Sequence, residues 1–192
     1  MHDTVLKDYI LKKTKWSADT FDQVDWDAHK RAFQHLTQYQ KIATAKLINS
    51  LANTNRKNFL YYGADNSCPG FKPAEETFHH ILTCPHPDTT SFHTEQLLAL
   101  QKTLQQIDTP PIMVQTILHG FDSWLSPSEQ TRSRTPTYGS LLPGDIHLTS
   151  AYYGQFHKIG WVQFCLGRIS SKWAVTIRAY KSTQQVPYDS KP

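Results

Sequence analysis

Between Cys68 and His86 the chain gathers two of its three cysteines and three of its ten histidines, and no other stretch is so dense in metal-ligating side chains. His80 and Cys84 lie four apart at the end of a segment, Ala74 to Thr83, that reads as a short helix; four residues is about one helical turn, so the imidazole and the sulfur share a face. Cys68 precedes a Pro69-Gly70 turn able to fold it back toward that face. Tetrahedral zinc is held by such a convergence of thiolate and imidazole donors from a turn and a helix. The spacing therefore places Cys68, His80 and Cys84 as three ligands. The fourth is open: His86 is preferred, because Cys84-Pro85-His86 keeps it near the sulfur, with His79, His93 or water as alternatives.

These residues carry a resemblance. Cys68-Pro69, then Glu76-Thr77, His80-Ile81-Leu82, Cys84 and Pro85 resemble the zinc-binding module at the C-terminal end of non-LTR retrotransposon reverse transcriptases, whose pattern is C-P-x-C, then E-T-x-x-H, then three residues and C. Cys68, His80 and Cys84 match ligand positions, and Glu76, Thr77 and Pro85 match the frame. Phe71 stands where that pattern has its second cysteine. Val24-Asp25-Trp26-Asp27, and the run from Ile159-Gly160-Trp161 through Phe164, Gly167-Arg168-Ile169-Ser170 and Trp173, are similar to segments flanking the module in retroelement-derived reading frames. The resemblance implies a zinc-knuckle-like domain that assists binding of RNA or DNA, with polymerase chemistry lying elsewhere.

A chain of 192 residues with 39% hydrophobic and 12% aromatic side chains has enough apolar material for a substantial core. Three cysteines without a spaced framework argue against a disulfide scaffold and for a reducing compartment, cytoplasmic or nuclear. The N-terminus lacks the apolar run of a signal peptide, and no segment reaches the roughly 18–20 apolar residues of a membrane span. Twenty basic against sixteen acidic residues leave only +4, but the charge is uneven. Residues 1–60 carry ten basic and six acidic side chains, 61–150 four and nine, and 151–192 six and one. Any polyanion would be steered to the basic ends.

The pattern along the chain predicts a mostly α fold, a helical domain with an inserted knuckle-like turn–helix unit. Val5 to Lys13 reads as a weak helix, and Asp25 as the N-cap of a helix reaching Leu36. A helix from Gln40 to Ala52 would form an antiparallel hairpin with it. Phe59 to Tyr62 reads as a short extended stretch leading into the knuckle. Phe92 to Ile107 and the segment opened by Pro110-Pro111 read as a helical pair, closing a region 1–125. Residues 126–147, rich in Ser, Thr, Pro and Gly around Arg132 and Arg134, read as a linker. Helical patterning returns at 148–181, interrupted at Gly160 and Gly167, and 182–192 reads as a disordered tail.

In that last helical region Trp161, Cys165, Ile169, Trp173 and Ile177 recur every four residues, with Cys165 expected as a small buried hydrophobe. An aromatic stripe edged by Arg168, Lys172 and Arg178 suits single-stranded nucleic acid through stacking and phosphate contact, although such stripes more commonly pack into a core. Catalytic signatures are missing: no Gly-rich phosphate loop, no G-x-S-x-G elbow, no H-E-x-x-H and no paired polymerase aspartates. The sequence thus points to a non-catalytic zinc-knuckle-like domain. A metal-free helical protein-interaction domain is the alternative. A hydrolytic metal site using Glu75 or Glu76 beside His79 and His80 is a remote third.

Overall fold

The computed structural model describes residues 2–51, 53–125 and 143–184. Helices account for nearly all regular structure there: α1 (His2–Thr14), α2 (Ala18–Asp22), α3 (Trp26–His35), α4 (Gln38–Ile48), α5 (Asn55–Tyr62), α6 (Phe78–Thr83), α7 (Pro87–Gln106), α8 (Pro111–Leu125) and α9 (Pro143–Tyr153), then a π-helical turn (Gly154–Ile159), α10 (Trp161–Cys165) and α11 (Lys172–Gln184). Extended pairing among the described residues is limited to isolated antiparallel bridges, Val24 with Ser170 and Ser67 with Glu75. The mostly α expectation is met. No helix of the described chain is long and apolar enough to cross a membrane.

The chain divides into two compact units, one drawn from Met1–Gln34 and Leu104–Pro192, the other from His35–Thr103. The second is thus an insertion within the first. Helices α3 and α4, expected as a hairpin, belong to different units, as do α8 and most of α7. Of the expected linker, 126–142 lies outside the described residues together with Arg132 and Arg134, whereas Pro143 onward already forms α9. Of the expected tail, 182–184 end α11 and the remainder lies outside the described residues.

In the first unit the apolar stripe of α8, Met113, Val114, Ile117 and Phe121, is buried together with Leu148, Ala151 and Tyr152 of α9, Ile159, Trp161, Leu166 and Trp173. Helices α9 and α11 share the most extensive contact. Phe121 lies 4.9 Å from the Trp161 ring and 5.4 Å from Phe164, centroid to centroid. Gly120 admits that indole, since a Cβ there would fall 1.9 Å from a Trp161 ring carbon. Fully buried Gln155 ties the π-helical turn to the segment after it: its amide nitrogen donates to the Gly160 carbonyl at 3.0 Å, and its amide oxygen accepts from Ser170 N–H at 3.0 Å. The breaks expected at Gly160 and Gly167 occur, at φ +92° and +78°, conformations that side chains other than glycine rarely tolerate.

The second unit is built differently. Its buried residues, among those described, are Thr54, Cys68 and Cys84. The expected extended stretch at Phe59–Tyr62 is instead the last turn of α5. Thr54 caps that helix by accepting from Lys57 N–H, and Gly63 ends it in the left-handed region at φ +67°, so start and stop signals override the β preference of Phe-Leu-Tyr-Tyr. The helix expected from Ala74 begins only at Phe78, because Glu75 is held in the bridge to Ser67.

Candidate metal centre

Cys68 reaches the site on a tight turn. Its N–H donates to the Ala74 carbonyl at 2.8 Å, Ala74 N–H donates to the Phe71 carbonyl at 3.0 Å, and Glu76 N–H donates to the Asn66 carbonyl at 2.9 Å, closing a small antiparallel loop around Pro69-Gly70. Thr77 then starts α6, its hydroxyl accepting from His80 N–H at 3.0 Å, which fixes His80 in the first turn. Cys84 follows α6 in an extended conformation (φ −61°, ψ 127°), as the residue before Pro85 must. Glu76 joins this loop to α5, its carboxylate accepting from Asn55 N–H at 2.6 Å at the positive end of that helix. Asn55 also donates its side-chain amide to the Ser67 carbonyl at 2.9 Å, and Arg56 pairs with Glu75 at 2.8 Å. The Glu-Thr-x-x-His pattern therefore has a physical content: Glu76 docks α5, Thr77 caps α6, and His80 is delivered in its first turn.

Three of the four expected ligands are brought together. The donor atoms of Cys68, His80 and Cys84 all lie within 4.8 Å of one another. The two sulfurs are 3.8 Å apart, and both cysteines are buried, at 6% and 5% exposure. Two sulfurs bonded at about 2.3 Å to one tetrahedral ion sit about 3.8 Å apart, so the separation of the thiols is compatible with a shared ion. The third donor is equally suited, because His80 Nε2 is buried and has no hydrogen-bond partner. An orphaned buried ring nitrogen beside two thiols is what a metal ion would satisfy.

His86, the preferred fourth ligand, is not brought to this group. Its ring packs on Gly70, where a Cβ would come within 2.9 Å of the imidazole, and its Nδ1 accepts from Asp88 N–H at 3.3 Å. His79 is exposed, 3.4 Å from the Thr83 hydroxyl, and His93 lies on α7 with burial holding its pKa below the ordinary histidine value. Neither joins the three. Phe71, in the place of a second cysteine, lies nearly parallel to the His80 ring at 6.2 Å.

The basic residues expected at a nucleic-acid surface differ in exposure. Arg168 is buried at 5% exposure, donates to Gln163 Oε1 at 2.8 Å, and lies about 6 Å from the rings of Trp16 and Trp26, the two contacts being 5.9 and 6.0 Å. It is a packing residue, withdrawn from any phosphate. Lys172 is half-buried, and Arg178 is exposed with its Nε donating to the Ala174 carbonyl at 3.3 Å. The stripe itself is broken at Gly167: Trp161 and Trp173 are buried, while Cys165 is exposed rather than buried as expected. No family model, curated protein or solved structure matches the chain.

Proposed function

We propose that the chain is a non-catalytic, metal-holding binding module in which zinc, held by Cys68, His80 and Cys84, staples the second unit, and that it assists nucleic-acid binding as its resemblance to retroelement zinc knuckles implies. The observation that carries the metal is the convergence of two buried thiols 3.8 Å apart with an unpartnered imidazole nitrogen. Zinc would supply a cross-link between the turn and α6, its fourth donor coming from outside these three residues. The composition of the unit supports a structural role: among described residues it buries two cysteines and one threonine, and the extensive helix-to-helix contacts all lie in the other unit. A unit of this size without a real core is one that metal ordinarily completes. Of the three basic side chains expected to meet phosphate, Arg178 is the exposed one.

The non-catalytic reading draws support from both nearby carboxylates being committed. Glu75 is paired with Arg56 and accepts from the Asn66 amide at 2.7 Å, and Glu76 holds the start of α5. A second reading, a metal-free helical domain that binds another protein, is favoured by the stacking of Phe71 on His80. Native mass spectrometry of the full chain separates the two. The metal reading expects one zinc per chain, lost in Cys84→Ser and in His80→Ala and retained in His86→Ala. A folded chain with no zinc under zinc-replete conditions would leave the interaction-domain reading.

A further inference from the structure

The same two thiols are placed to react with each other. We infer that Cys68 and Cys84 form an oxidative modification site, closed to a disulfide by hydroperoxides, and that disulfide and metal are mutually exclusive occupants of one sulfur pair. The release of metal rests on the reading of the site as a metal centre; the disulfide does not.

The sulfurs are 3.8 Å apart and must approach to about 2.05 Å, a closure within reach of side-chain rotation when one partner sits in a turn and the other just past a helix end. The third cysteine, exposed Cys165, belongs to the other unit. Burial slows direct attack on the pair, but α6 is six residues long and Cys84 lies just beyond it, so a local opening suffices to admit a molecule as small as hydrogen peroxide. One thiolate attacks a peroxide oxygen, the O–O bond breaks, and a sulfenic acid and water result. The second sulfur attacks the sulfenic sulfur, the S–S bond forms, and the hydroxyl leaves as a second water. Two thiols and one peroxide thus give one disulfide and two waters. A metal ion shared by the sulfurs would hold them as thiolates, so that two protons from solvent complete the two waters, and on losing both sulfurs it would leave as the unchanged divalent ion. Its own lack of redox chemistry leaves the sulfurs as the only reductant.

The test uses the full chain carrying Cys165→Ser, in zinc-free and zinc-loaded form, treated with hydrogen peroxide. Proteolysis after Glu75 and Glu76 separates the two cysteines onto different peptides unless they are joined. The expected result for the zinc-free chain is a mass lower by two hydrogens, a joined Cys68–Cys84 peptide pair, and reversal by dithiothreitol. The loaded chain should release its zinc to a colorimetric chelator in step with that mass change. Oxygen addition to either cysteine without a joined pair, or two thiols still open to alkylation after a free thiol control is consumed, would overturn the inference. A disulfide formed with zinc retained would overturn the exclusivity. Should the chain never load zinc, the metal-centre reading fails, and the zinc-free sample still decides the disulfide.

Discussion

A half-buried imidazole under the influence of an arginine is a poor place for a second proton. His29 is in that position: its Nδ1 lies 3.1 Å from the Gly167 carbonyl, and desolvation first, then Arg168, hold its pKa below the usual value despite that carbonyl. The unfolded chain therefore binds the proton more readily than the folded one. Stability is full above the unfolded value of about 6.5 and falls as pH drops from there through the lower folded value. Urea melts of wild type and His29→Gln across that range should show a pH slope in the first that is smaller in the second; equal slopes would remove His29 from the account. Residue identity was legible where a spacing rule applied, as for His80 and Cys84. It failed for Arg168 because the four-residue stripe assumed one continuous helix, and the turn at Gly167 swings the guanidinium inward between Trp16 and Trp26.

At the scale of elements, α8 approaches Trp161 at the start of α10 through a single missing methyl group. Gly120→Ala places a Cβ inside van der Waals range of the Trp161 ring, which is fenced by Phe121 at 4.9 Å and Phe164 at 5.2 Å and has no room to yield. A loss of about 1–3 kcal/mol is expected, read as a lower denaturation midpoint in the full chain. Gly63, with open space around it, offers the contrast that an unfavourable φ alone is at issue there. Most helices could be read from apolar spacing and caps, and the Asp25 cap is present, its carboxylate accepting from Ala28 N–H at 2.8 Å. Helix α5 was missed because aromatic side chains weigh toward strand, while the Thr54 and Gly63 signals bounding it were in view. The late start of α6 was not visible, since the bridge between Ser67 and Glu75 is a pairing across a turn rather than a property of either segment.

Among the described residues, one unit has an aromatic and aliphatic core and the inserted one, which carries the candidate metal group, lacks it. Nothing in local patterning shows that residues 35–103 interrupt a unit made of both chain ends, because that association depends on contacts distant in sequence. The candidate triad was legible because its members come from one short stretch; the placement of His86 apart from it was not, because that depends on a ring packing against Gly70. The most direct test is hydrogen exchange on the zinc-loaded full chain before and after chelation. A ligand present at a hundred times its dissociation constant stabilises by about 2.7 kcal/mol, roughly a hundredfold in opening. Chelation should therefore raise exchange by about that factor at amides that close the knuckle, such as Cys68, Glu76 and His80, and leave those of α8 and α9 unchanged. Unaltered exchange at the knuckle amides, or loss of protection spread evenly over both units, would contradict a metal that staples the second unit alone.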